Sequence, residues 1–177
     1  FIKAAGAAGA GMMAAGMSSC DKRNVKQPFS EMLDALNRAH SQHFNMCGYA
    51  APKIETVRTG IIGIGRRGIE AVHRLKIIEG VEIKALCDLR MECVEAGQKA
   101  LADAGLPAAR AYGGTEDAWK EMCSGNDLDL IYIVTPWDLH TPMSVFSMNN
   151  GKHAAVEVPA AVTLEECWEL VETSEKT

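Results

Sequence analysis

At 177 residues, 47% of them hydrophobic, the chain has material for about one globular α/β domain and a tail. Its 18 basic and 23 acidic residues give a formal charge of -5 with no basic stripe interleaved with aromatics, which sets nucleic acid aside as a partner. Nothing in the composition reads as an integral membrane protein.

Residues 1–20 differ from the rest: a run of Ala, Gly and Met with Lys3 near its start and a small-residue end at Ser18-Ser19-Cys20. This reads as an export signal, too short and glycine-rich for a spanning helix. The chain starts at Phe1, so its true beginning is expected upstream, and Phe1-Ile2-Lys3 looks like the tail of a twin-arginine signal. Met17-Ser18-Ser19-Cys20 is similar to a lipobox with an atypical first residue, which leaves a lipid anchor at Cys20 and plain cleavage both open. A flexible start of a cytoplasmic protein is the third reading. The expected location is the periplasm or cell envelope. Residues 21–56 read as a linker or strap, weakly helical around Phe29 to His43. His40 and His43 lack a carboxylate or cysteine at matching spacing and read as surface residues, and no metal site is expected. Cys87 and Cys167, in apolar patterns, are expected as buried packing residues, with no required disulfide.

The domain proper is expected over residues 57–177. Val57 to Ile64 reads as a buried strand, and Ile69, Val72, His73, Leu75 and Lys76 fall on helical spacing. Between them Gly63, Gly65 and Gly68 form G-x-G-x-x-G, which in this strand–turn–helix context holds a dinucleotide. Gly63 permits the tight turn, Gly65 lets the backbone approach a pyrophosphate, and Gly68 allows close helix–strand packing. The helix N-terminus offers free N–H groups and partial positive charge to phosphates. A second strand, Val81 to Cys87, leads into Asp88, twenty residues past Gly68, where a carboxylate accepts hydrogen bonds from the adenosine ribose. The competing role for Asp88 is to cap the helix starting near Arg90. An acid here repels a 2′-phosphate and favours NAD, while Arg90 two residues on keeps NADP open.

Further along, Met91 to Ala104 reads as a helix, Ala111-Tyr112 as a short edge strand, and Thr115 as the cap of a helix through Met122. Leu128 to Val134 reads as a central strand, Pro142 to Met148 as a helix and His153 to Val158 as a fifth strand. Thr163 with Glu166 makes a capping box for the last helix. Alternating strands and helices predict a doubly wound parallel sheet, a Rossmann dinucleotide-binding domain. Ligands in such sheets bind outside the carboxyl ends of strands, so Thr135-Pro136-Trp137-Asp138-Leu139-His140 and Glu157-Val158-Pro159-Ala160-Ala161 are expected at the same crevice as the glycine turn.

With T-P-x-x-x-H and a variant of E-K-P at these strand ends, the sequence from about Val57 onward resembles the Gfo/Idh/MocA family. Val158 stands where that family carries a catalytic lysine, which puts a lysine-relay dehydrogenase in doubt. Trp137 to His140, Glu157 to Ala161 and the leader are together similar to glycoside hydrolase family 109, α-N-acetylgalactosaminidases that keep NAD bound. The resemblance implies coenzyme contacts at Arg66, Arg67, Asp88, Trp137 to His140, Glu157 and Val158. Pro136 with Trp137 would pack on adenine or nicotinamide faces, and Glu157 would bond the nicotinamide ribose. The bland alternatives are a core aromatic for Trp137 and a helix-capping role for His140. The implied reaction is redox-neutral. Hydride leaves sugar C3, the ketone acidifies the C2 proton, elimination expels the aglycone, water adds and hydride returns, a recognised exception among glycosidases. The base for C3 and C2 comes, in the family, from a second α+β domain expected beyond Thr177, so the catalytic residues are unknown and this stretch alone is expected to bind NAD without turnover. A twin-arginine route suits such a protein, since it exports folded chains already loaded with coenzyme. The implied partner is a glycan ending in N-acetylgalactosamine, and a homo-oligomer is left open. An exported sugar or cyclitol dehydrogenase and a non-catalytic nucleotide-binding envelope protein remain as alternatives.

Overall fold

The computed structural model of the protein describes residues 30, 31, 33, 34 and 46–177. The expected export signal, Cys20, His40 and His43 lie outside the described residues, as does most of the expected helix around Phe29 to His43; residues 30, 31, 33 and 34 are helical and exposed. No helix among the described residues is long and apolar enough to cross a membrane.

Strands and helices alternate from Val57. In chain order they are β1 (Val57–Ile62), α1 (Arg66–Leu75), β2 (Val81–Asp88), α2 (Met91–Ala102), β3 (Arg110–Gly113), α3 (Ala118–Ser124), β4 (Leu130–Ile133), a 3-10 turn (Trp137–Leu139), α4 (His140–Asn149), β5 (His153–Val156) and α5 (Leu164–Lys176). The five strands pair in parallel in the order β3-β2-β1-β4-β5. The chain therefore winds outward from β1 to β3, returns across the sheet, and winds outward again from β4. The reversal between β1 and β4 opens a crevice at the carboxyl ends of these two strands, where ligands of doubly wound sheets bind.

Side-chain alternation along the strands builds a core on each face. Ile61, Leu86, Val72, Val94 and Leu101 fill one side, toward α1 and α2, with Tyr132 and Val134 packed against them. Ile62, Cys87, Met122, Cys123, Ile131 and Ile133 fill the other, toward α3 and α4. In β2 the alternation breaks: Ile83 faces the first cluster and Ala85 the second. The pairing explains it, because Thr59 opposes Ile83 while the next residue, Gly60, opposes Ala85, which leaves Lys84 as an extra, bulged residue. At the opposite end from the crevice, Asp129 ties β1 to β4. Its Oδ1 takes Arg58 Nη2 at 2.6 Å, and its Oδ2 takes Arg58 Nε at 2.9 Å and the Arg58 backbone N–H at 2.8 Å. The Arg58 hydrogen bonds hold the Asp129 carboxyl down at about 2.

The structure corrects several expected boundaries. β1 ends at Ile62 and β4 at Ile133, because the chain turns at the crevice, although the Val134 N–H still reaches the Ile62 carbonyl at 2.8 Å; at its other end β4 starts only at Leu130, after Asp129. β5 likewise ends at Val156, with one further bond from the Glu157 N–H to the Ile133 carbonyl at 3.0 Å. Thr115 is not the cap of α3: the helix starts at Ala118 after Asp117, with no side-chain cap, and Thr115 contributes only its carbonyl, 3.4 Å from the Ala118 N–H. Cys167 is exposed rather than buried, whereas Cys87 is buried as expected. The capping box of α5 is present, with the Glu166 N–H 3.1 Å from Thr163 Oγ1 and the Thr163 N–H 3.0 Å from Glu166 Oε2.

Candidate functional site

The bend after β1 needs each of its glycines for a different reason. Gly63 sits at φ +87°, and a Cβ there would lie 2.6 Å from the Val134 carbonyl oxygen, so the turn is both left-handed and pressed against β4. A Cβ on Gly68 would run into the Gly63 carbonyl, because α1 packs directly on the end of β1. Gly65 is different: the nearest atom to its added Cβ is Arg90 Nη2 at 3.8 Å, so the backbone there is open to approach. Gly65 is also the N-cap of α1, with no side-chain cap and no acid in the first turn, and the amides of Arg66, Arg67 and Gly68 carry the partial positive charge of the helix end.

Asp88 braces this bend from the end of β2. Its Oδ2 accepts the Ile64 N–H at 2.7 Å and its Oδ1 the Arg90 N–H at 2.9 Å, with Arg90 Nε 3.8 Å away. Of the two roles read from the sequence, the capping one takes a different form: α2 has Arg90 as its N-cap with no side-chain cap, and Asp88 accepts the N–H of that residue. Each carboxylate oxygen keeps a further lone pair able to accept a hydroxyl.

On the other side of the bend, the ends of β4 and β5 frame a cleft of about 420 Å³ lined by Arg67, Val134, Thr135, Pro136, Trp137, His140, Glu157 and Val158. Trp137 and Val158 are 63% and 78% exposed, so Trp137 is no core aromatic. A shallower depression beside it is lined by Pro136, Trp137, Asp138 and Val162. Leu139 lies on the same 3-10 turn, lines neither hollow, and is 37% exposed. Pro136, Trp137 and Glu157 share this cleft at the ends of β4 and β5, across β1 from Asp88 at the end of β2.

His140 lines the cleft yet is 1% exposed. Its Nδ1 lies 2.7 Å from the Pro159 carbonyl oxygen and its Nε2 2.8 Å from that of Thr135. The ring therefore fastens the β4 loop to the β5 loop, and Thr141 repeats the link by donating to the Ala160 carbonyl at 3.0 Å. Glu157 is anchored too, by the Tyr132 hydroxyl on Oε1, by Arg67 Nη1 at 3.4 Å from Oε2, and by Arg74 Nη2 at 3.9 Å from Oε1. Tyr132 and Arg74 were not singled out by the sequence. The alternation of β4 was the available signal, since Ile131 and Ile133 point to one face and Tyr132 to the face that carries α1.

The open backbone at Gly65, the uncapped helix end, the carboxylate at Asp88 and the cleft at the switch point fit the phosphates, adenosine ribose and nicotinamide half of a dinucleotide in turn. Together they define an NAD-binding Rossmann domain. Residues 57–177 match the family described as "Oxidoreductase family, NAD-binding Rossmann fold", and the chain belongs to this family, Gfo/Idh/MocA. It is 58% identical over 126 residues to a "Glycosyl hydrolase family 109 protein" of Porphyromonas gingivalis, covering 71% of this chain and 27% of that protein. It is 51% identical over 133 residues to an "Alpha-N-acetylgalactosaminidase" of Bacteroides fragilis, covering 75% and 31%. The chain thus spans less than a third of the length of either relative. Among solved structures it is similar to the myo-inositol dehydrogenase of Lactobacillus casei in complex with NAD(H) and myo-inositol, at 25% identity and a TM-score of 0.58, covering 69% of this chain and 34% of that one.

Proposed function

We propose that this chain is the NAD-binding part of an exported glycosidase that hydrolyses terminal α-N-acetylgalactosamine by redox-neutral oxidation, elimination, addition and reduction. Bound NAD supplies the place where hydride is held between the first and last steps. The residues present serve that purpose by binding and orientation. The amides of Arg66 to Gly68 take the pyrophosphate, Asp88 the adenosine ribose and Glu157 the nicotinamide ribose, while Trp137 covers the ring face and keeps water off it.

The observation that carries this reading is Val158. It projects 78% exposed at the cleft, at the position of the lysine in E-K-P, and an isopropyl group relays no proton. The names of the relatives from Porphyromonas gingivalis and Bacteroides fragilis point the same way. The base for the C3 and C2 protons is then supplied from elsewhere in the full-length protein. Export, with or without a lipid on Cys20, is supported by the composition of residues 1–20. The likeness to a myo-inositol dehydrogenase favours the second reading, an exported sugar or cyclitol oxidoreductase.

Incubating the protein in its full natural length with an aryl α-N-acetylgalactosaminide separates them. The hydrolase releases the aryl alcohol with no net build-up of reduced nicotinamide, and residues 57–177 alone release none. Accumulation of reduced nicotinamide in step with sugar consumption would overturn the hydrolase in favour of the dehydrogenase.

A further inference from the structure

Glu157 is held unevenly, and the unevenness has a direction. Oε1 accepts the hydroxyl of Tyr132 and lies 3.9 Å from Arg74 Nη2, while among the described residues Oε2 meets only Arg67 Nη1, at 3.4 Å. Tyr132 stands on β4 and packs against the apolar cluster beneath α1 and α2, so its hydroxyl has a fixed reach. Arg74 comes from the last turn of α1. Arg67 is of another kind: its side chain is 75% exposed and it lines the cleft together with Glu157. A long contact from so exposed an arginine is weak and easily exchanged. Burial, then the hydrogen bond to Glu157, raises the Tyr132 hydroxyl above its ordinary range, so it stays a donor at any working pH.

We infer that Tyr132 and Arg74 are positioning residues for the coenzyme: they fix Oε1 of Glu157 so that Oε2 exchanges Arg67 for a hydroxyl of the nicotinamide ribose. This rests on the NAD-site reading above and extends it to two side chains that do not touch the coenzyme. The exchange leaves the Arg67 guanidinium free to pair with an anion at the cleft. Without the tether, the carboxylate would follow Arg67 toward solvent and meet the ribose only after reordering.

A merely structural Tyr132, bonding β4 to β5, would weaken every ligand alike. Calorimetric titration of the protein in its full natural length with NAD, and with ADP, which lacks the nicotinamide ribose, reads the difference. For Tyr132→Phe the NAD affinity falls about tenfold, the loss of one hydrogen bond to a charged group, while ADP binding is unchanged. In a Glu157→Ala background, which leaves the Tyr132 hydroxyl no acceptor, Tyr132→Phe has no further effect on NAD, because the two act as one unit. Arg74→Met shifts NAD in the same direction by less, again without touching ADP, and decides the matter should Tyr132→Phe fail to fold. Unchanged NAD affinity in these variants, or equal loss for NAD and ADP, would overturn the inference. A wild-type protein that binds neither ligand would overturn the nucleotide site itself.

Discussion

Asp88 shows how much one side chain at a strand end can carry. Its two oxygens hold the Ile64 and Arg90 amides, so it sets the shape of the glycine bend. Asp88→Ala removes both amide contacts and, on the proposed function, the ribose acceptor with them, and NAD affinity is expected to fall by at least about tenfold in a fluorescence titration. Equal affinity would remove Asp88 from the site. This residue was legible in the sequence because its evidence is local: a strand, a fixed spacing from the glycines and a carboxylate. His140 was legible only as a member of a motif. That its ring lies between the Pro159 and Thr135 carbonyls depends on how the β4 and β5 loops meet, which no spacing along the chain encodes. Tyr132 and Arg74 converge on Glu157 from sequence distances of 25 and 83 residues, and hydrophobic patterning marks them as a strand residue and a helix residue, no more.

Among the elements, strands and helices were legible from periodicity and glycine placement, while their ends were not. β4 and β5 stop where the backbone leaves the sheet to line the cleft, a three-dimensional event that apolar runs such as Leu128 to Val134 overshoot. Thr115 carried the right chemistry for a cap but stands three residues before α3 begins. The Arg58–Asp129 clasp between the starts of β1 and β4 spans 71 residues and left no local trace. Its pH dependence has a definite sign. The folded carboxyl is held at about 2 by its hydrogen bonds to Arg58, below the ordinary value of about 4, so its stabilisation is full above about 4 and is lost as pH falls toward 2. Asp129→Asn is therefore expected to lower Tm by a few degrees at neutral pH, with the gap to wild type closing in acid. Thermal denaturation followed by circular dichroism across that window checks it, and a gap independent of pH would mean that the clasp contributes through shape alone.

At the scale of the whole molecule, the sheet order brings the glycine bend, the β4 loop and the β5 loop to a single crevice, as the doubly wound arrangement predicted from alternation requires. Asp88, at the end of β2, and Glu157, just after β5, stand on opposite sides of that crevice, and the proposed function gives one ribose to each. That Pro136 and Trp137 share a cleft with Glu157 follows only once the strand order is known, since the sequence does not say which strand end neighbours which. Coenzyme binding across the bend after β1 is tested most directly by titrating NAD into the nucleotide-free, full-length protein, with Gly68→Ala beside it. The wild type should saturate at one NAD per chain. Gly68→Ala, whose methyl group would collide with the Gly63 carbonyl, should bind at least about tenfold more weakly, the effect of overpacking the turn by roughly 1–3 kcal/mol. No heat with the wild type, or equal binding by Gly68→Ala, would contradict a dinucleotide lying across that bend.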